Sequence, residues 1–275
     1  LPELPDLRIV PVADLLPHEH HDAQRSQPLT QRLTIDGVLR NPPIITPIDS
    51  ERRFVVLDGA NRVMAIQALG LPHIIAQVVD YDEPDLILDT WYHLVVGFPR
   101  QAFDQALKAE VGPCLEPVEI MQARARLARR EALATIVSPE AGVFTICAEG
   151  DVQQRTTRLN NIVNIYRTRG RIFRVNTDHL ENLRPYYDDV TVLVVFPHYE
   201  PAEILDLARV GALLPAGITR HIIPCRALHV NFPLSVLRED RPVQDKNDWL
   251  KAWLKQRIAR REARYYQEST FLFDE

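Results

Sequence analysis

The chain has 275 residues, 46% of them hydrophobic, enough for one large or two ordinary domains around a continuous core. That composition excludes intrinsic disorder, and 21 prolines scattered between apolar stretches exclude a proline-rich tract. A formal net charge of −5 excludes passive coating of nucleic acid, which rests on neutralising phosphates with lysine and arginine.

Lysine occurs only at Lys108, Lys246, Lys251 and Lys255, so the basic residues are mostly arginine. Arginine favours bidentate recognition of carboxylate or phosphate, although genomic composition also raises its share. Cys114, Cys147 and Cys225 are odd in number and lack Cys-x-x-Cys spacing. Neither a structural zinc site nor a secreted disulfide framework is expected from them. No apolar run reaches the length of a membrane span. Leu1-Pro2-Glu3-Leu4-Pro5 lacks a basic segment followed by an apolar one, so a cytoplasmic chain without a secretory signal is expected.

Leu7 to Val12 reads as a strand and Ala13 to Leu16 as a turn, before the polar run Pro17-His18-Glu19-His20-His21-Asp22. Pro28 is expected at the start of a helix reaching Asp36, with Gly37 as its stop. Asn41-Pro42-Pro43 enforces an extended path into a strand over Ile44 to Ile48, followed by a polar turn at Asp49 to Arg53. Phe54 to Leu57 is an apolar strand ending in Asp58-Gly59, Asn61 to Leu69 a helix closed by Gly70, and Ile74 to Val79 the next strand.

Arg100 to Val111 is a helix. A longer one is expected over Pro117 to Ile136, where Val118, Met121, Ala125, Ala128, Ala132 and Ile136 share a face. Strands are then expected over Val143 to Cys147, Arg171 to Val175 and Thr191 to Phe196. Helices are expected over Val152 to Thr168 and Pro201 to Val210, with an extended region over Ile218 to Leu228. Lys246 to Tyr266 reads as an amphipathic tail helix that caps the body or pairs with a second subunit in a homodimer.

The chemistry concentrates at Asp58-Gly59-Ala60-Asn61-Arg62, which follows a strand and opens a helix. A helix start offers unpaired N–H groups and the positive end of the macrodipole to a phosphate. Gly59 and Ala60 let an anion approach the backbone, and Arg62 adds a charged fork. Asp58 accepts from a hydroxyl, holds a metal ion or caps the helix. There is no Gly-Lys-Ser or Gly-Lys-Thr of a P-loop and no Gly-x-Gly-x-x-Gly. Glu19, among His18, His20, His21 and Asp22, fits the carboxylate a hydroxyl acceptor needs to lose its proton; a metal cluster and a plain solvated loop are the alternatives.

Leu16-Pro17-His18-Glu19, Asp36 to Ile44 and Val56 to Arg62 together resemble the ParB/sulfiredoxin-like superfamily. With Asp89-Thr90-Trp91-Tyr92-His93-Leu94 and Gly217-Ile218-Thr219-Arg220-His221, the chain is similar to its free L-serine kinases, of the siderophore-pathway (staphyloferrin B) and archaeal ADP-dependent types. The resemblance spans residues 7 to about 235. It implies an α/β (α+β) fold: a ParB/sulfiredoxin-like nucleotide-binding domain over 1–100, a second α/β domain over 101–240 that closes the site, and a helical tail over 241–275.

It also implies transfer of a phosphoryl group from ATP or ADP, with Mg²⁺, to free L-serine. Glu19 is then the base, Asp58, Gly59, Ala60, Asn61 and Arg62 the nucleotide site, and Trp91, Thr219, Arg220 and His221 the acceptor contacts. Asp58, Arg220 and His221 share in catalysis. The partners expected are serine and nucleotide, with no membrane and DNA not expected. ParB carries Gly-Glu-Arg-Arg and sulfiredoxins Gly-Cys-His-Arg where this chain has Gly59-Ala60-Asn61-Arg62, so the redox nucleophile is missing. A DNA-binding regulator using Arg124, Arg126, Arg129, Arg130, Arg167, Arg169 and Arg171 is the rival reading, and a kinase of another small hydroxylated metabolite the third.

Overall fold

The computed structural model describes residues 4–21, 23–48 and 53–265. Asp22, the polar turn up to residue 52 and Tyr266 of the expected tail lie outside the described residues. The first half runs β1 (Asp6–Pro11), β2 (Leu15–Pro17), α1 (Ala23–Asp36), β3 (Val38–Leu39), β4 (Ile44–Pro47), β5 (Phe54–Asp58), α2 (Ala60–Ala68) and β6 (His73–Val78). It continues with β7 (Ile87–Thr90), β8 (Tyr92–Val96), α3 (Arg100–Val111), β9 (Leu115–Pro117), α4 (Ile120–Ala128), β10 (Ala132–Ser138), β11 (Gly142–Cys147), α5 (Val152–Arg167) and β12 (Arg171–Val175). The remainder is α6 (Leu180–Leu183), β13 (Val190–Val195), α7 (Pro201–Val210), β14 (Thr219–Ile222), β15 (Phe232–Pro233), α8 (Leu234–Arg238) and α9 (Val243–Ala259).

Two sheets carry the fold, a mixed one in the order β1-β6-β4-β5-β2 and an antiparallel one in the order β12-β8-β13-β10-β11-β9. Strand alternation divides the first sheet between two cores. Ile44, Val55 and Leu57 enter the core shared with the second sheet, while Ile45 and Val56 face the opposite one. That second core is completed from far along the chain by Val230, Phe232, Leu234, Leu237 and Leu250. The units therefore interleave. Strand β8, within the span expected to form the first domain, pairs in the second sheet, and residues 230–250 return to the first. No helix among the described residues is long and apolar enough to cross a membrane.

Three sequence expectations change. The segment Ala13 to Leu16 is a short 3₁₀ turn over Val12–Asp14 and then β2, not a turn throughout. Helix α1 starts at Ala23, so Pro28 sits inside it rather than at its first turn. It forfeits one helical hydrogen bond near the end where few exist, which is why the helix survives.

The long helix over Pro117 to Ile136 is in fact α4 followed by β10. Arg130 turns the chain at φ +61°, and all seven residues of β10 are buried, as suits its β-branched Thr135-Ile136-Val137 core. Met121, expected on a core face, is 68% exposed, and Ala123 and Leu127 are buried instead. A fully buried strand has no polar alternation, so its apolar run was absorbed into the helical period. Cys114 and Cys147 are also joined by a disulfide. The antiparallel pairing Leu115↔Ile146 of β9 with β11 brings the two residues together.

Candidate active site

Strands β2 and β5 run parallel, in register Leu15↔Phe54 to Pro17↔Val56, so their carboxyl ends open on one edge. Glu19 lies two residues beyond β2, and Asp58 is the last residue of β5. His18 locks this register. Its side chain is buried, with Nδ1 2.7 Å from the Val56 carbonyl and Nε2 2.8 Å from Thr219 Oγ1. Leu214 pairs with the backbone on both sides of Glu19, through Leu214 N–H to His18 O and His20 N–H to Leu214 O.

The Glu19 carboxylate is held by three donors. Gly217 N–H reaches Oε2 at 2.8 Å, while Thr219 N–H and Thr219 Oγ1–H both reach Oε1 at 2.6 Å. Oε1 is thus doubly engaged and Oε2 singly, which leaves acceptor capacity on Oε2 for an incoming hydroxyl. This preorganisation comes from Gly217 and from Thr219 at the start of β14, 198 and 200 residues further along the chain.

Strands β7 and β14 form a ribbon in which Thr219 faces Thr90, Arg220 faces Asp89 and His221 faces Leu88. Alternation splits the expected Thr219-Arg220-His221 group between two faces. Thr219 and His221 turn toward His18, the His221 ring standing edge-on to it at 5.5 Å. Burial, followed by the neighbouring His18, pushes His221 down to about 3, so it is a neutral imidazole bonded to Tyr81 Oη at 2.8 Å. A neutral His221 brings no positive charge to a phosphoryl group. Arg220 turns to the other face, over the Trp91 ring at 4.2 Å and 3.3 Å from Asp89 Oδ2.

At the end of β5, Gly59 has φ +96° and is the N-cap of α2 without a side-chain cap, its carbonyl accepting from the N–H groups of Arg62 and Val63. A Cβ there would lie 2.9 Å from Pro43 Cβ and 3.0 Å from Arg62 Cζ. We expect Gly59→Ala to cost about 1–3 kcal/mol in thermal unfolding and to weaken nucleotide binding. Unchanged melting and affinity would show the turn to be tolerant.

Arg62 does not project outward as expected. Its guanidinium donates to the carbonyls of Asn41 at 3.0 Å and Pro42 at 2.7 Å, and to Asp58 Oδ2 at 2.8 Å. Burial lowers it to about 10. Asp58 also pairs with Arg226, from the loop after β14, a residue the sequence reading missed. An arginine in an irregular loop carries no pattern that would have exposed it. Among the described residues, His18, Glu19, His20 and His21 do not assemble into a metal cluster. Among the described residues, the one group of metal-capable side chains is Cys114, Cys147 and Glu149, two of which form the disulfide.

No family model matches the chain. It is 25% identical to the ATP-dependent L-serine kinase SbnI of Staphylococcus aureus over 279 residues, covering 98% of this chain and 97% of that protein. It is 23% identical to the ATP-dependent L-serine kinase of Staphylothermus marinus, covering 84% and 90%. With the ADP-dependent L-serine kinase SerK of Thermococcus kodakarensis it shares 22% identity, covering 84% and 93%. Among solved structures, it superposes on a free serine kinase in complex with AMP at a TM-score of 0.72, with 18% identity over 86% of this chain and 95% of the other. It superposes on C-terminally truncated SbnI from Staphylococcus aureus at 0.71, with 22% identity over 94% and 97%. Over 84% or more of its length the chain is thus similar in sequence to L-serine kinases, and it shares the fold of the free serine kinases.

Proposed function

We propose that this chain transfers the terminal phosphoryl group of ATP or ADP to the hydroxyl of free L-serine, giving O-phospho-L-serine. The observation that carries the reading is the Glu19 carboxylate, fixed by three donors beside the uncapped start of α2. A hydroxyl acceptor and a phosphate donor need those two features side by side.

In this reading the nucleotide phosphates lie against the start of α2 at Ala60, drawn by the helix dipole. Arg226 supplies the guanidinium that Arg62, turned inward, does not. Asp58 fits a magnesium ion: its carboxylate sits at the phosphate site with both arginine contacts on Oδ2. The ion would offset phosphate charge there. Glu19 orients the serine hydroxyl through Oε2 and takes its proton as the oxygen attacks phosphorus. Arg220, oriented by Asp89 and Trp91, grips the serine carboxylate, Asp89 using one of its five donors. The first sheet thus holds the nucleotide, and the β7–β14 ribbon brings the acceptor contacts to it.

Four of the seven arginines on which the DNA-binding reading rests are ion-paired within the chain. Arg124 pairs with Asp178, Arg126 with Glu116, Arg129 with Glu131 and Arg130 with Glu203, which offsets their positive charge. The deciding experiment supplies purified protein with L-serine, Mg²⁺ and either ATP or ADP, and reads O-phospho-L-serine by mass spectrometry. Product with one nucleotide names the donor. No product with either, from folded protein that binds nucleotide, moves the acceptor to another small hydroxylated metabolite.

A further inference from the structure

His18, Thr219 and Glu19 form a hydrogen-bonded chain in which donors fall one short. Thr219 Oγ1 lies 2.6 Å from Glu19 Oε1 and 2.8 Å from His18 Nε2. The other ring nitrogen, Nδ1, faces the Val56 carbonyl, which only accepts, so Nδ1 carries the proton. Burial lowers the proton affinity of His18 and keeps the ring neutral, although the Glu19 charge pulls the other way. Nε2 is then an acceptor. An ionised Glu19 is an acceptor as well, and Thr219 has a single hydroxyl proton for the two.

One additional proton removes the shortfall wherever it settles. On Glu19, it frees the Thr219 hydroxyl to turn to Nε2. On His18, it makes Nε2 a donor to Thr219, whose own proton stays on Glu19. A buried acceptor left without a donor raises the free energy of the state that leaves it so. The trio is therefore stabilised by taking up one proton.

We propose that His18, Thr219 and Glu19 accept the serine proton as one unit, His18 and Thr219 acting as positioning residues for Glu19. The inference rests on the kinase reading above. In the step, the serine oxygen bonds to phosphorus and the bond from phosphorus to the nucleotide oxygen breaks. The hydroxyl proton passes to the trio, its electron pair remaining on the serine oxygen. Other groups facing the trio keep their charge. His221 is neutral, Tyr81 behind it and Tyr199 near Glu19 are both pushed up by burial, and Asp58 at the end of β5 is ion-paired with Arg62 and Arg226.

His18→Asn is the isolating variant: its amide keeps a donor for Val56 but removes the Nε2 acceptor. The Thr219 hydroxyl then serves Glu19 alone and stabilises its ionised form. Turnover should fall about 10-fold, the value of one hydrogen bond, with both KM values little changed. The acid limb of the kcat–pH profile should move to lower pH, the sign expected for a weaker base. Thr219→Ser, which keeps the hydroxyl, should restore the wild-type profile. An unshifted limb with unchanged kcat in His18→Asn overturns the proposal.

A second measurement is independent of activity. With nitrogen-15-labelled histidine, Glu19→Gln should shift the His18 Nε2 resonance to the shielded side as the Thr219 hydroxyl turns to it. An unmoved resonance overturns the coupling. Should the wild type form no phosphoserine, serine falls as the acceptor, and this spectrum still decides whether the three residues share a proton.

Discussion

Replacing Glu19 with glutamine should lower turnover by about 10²- to 10⁴-fold, the usual contribution of a positioned general base. Nucleotide affinity should stay within about 3-fold, because the phosphate site proposed above lies at the start of α2 and not at Glu19. The substitution is nearly isosteric but has a structural consequence of its own. Gly217 and Thr219 direct N–H groups at different carboxylate oxygens, and a carboxamide has only one oxygen to meet them. One donor loses its acceptor, at a cost of about 1–2 kcal/mol in unfolding free energy. A loss of that size leaves the protein folded at assay temperature, so melting and calorimetry separate a chemical defect from a folding one. Wild-type turnover in the folded variant would remove Glu19 from proton transfer and leave serine activation to the nucleotide phosphates themselves.

The sequence marked the end of β5 and the polar run that carries Glu19, although it read the start of β2 as a turn. Val56-Leu57-Asp58-Gly59 is a place where an apolar strand gives way abruptly to polar groups. Such a break is legible without knowing what lies across from it. Gly37, Gly59 and Gly70 were equally readable as punctuation, and all three adopt positive φ. Helices α3 and α7 fall where periodicity placed them, since each has one apolar face and solvent on the other.

What escaped was set by partners distant in the chain. The 3.6-residue period continued by chance through β10, and only burial on both faces distinguishes that strand from a helix. The direction of Arg62 depends on carbonyls at Asn41 and Pro42 that happen to lie beneath it. The division of Thr219, Arg220 and His221 between two faces follows from β14 being a strand. Their adjacency in sequence had suggested a single cluster. The likeness to known kinases supplied the residue types of the site, and only the three-dimensional arrangement shows which of them touch.

Arg62 provides the sharpest contrast between the two readings, since they differ on what its loss would do. A phosphate ligand on an intact turn would lose affinity and little stability. The structure makes Arg62 the clamp of the turn itself, bridging two carbonyls and the Asp58 carboxylate from a side chain only 19% exposed. At neutral pH it keeps its charge, since burial lowers it only to about 10. Arg62→Ala leaves two carbonyls without that donor and Asp58 with Arg226 alone. Breaking a charged contact at this depth should cost about 3 kcal/mol. In a chain of this size that corresponds to a fall in Tm of roughly 5–10 °C. Arg62→Lys should recover little, because a point charge on a flexible stem cannot span three oxygens as a planar fork does. Melting curves with and without nucleotide decide between the roles. A large fall in Tm without ligand supports the clamp; a wild-type Tm that ligand no longer raises would return Arg62 to the phosphate.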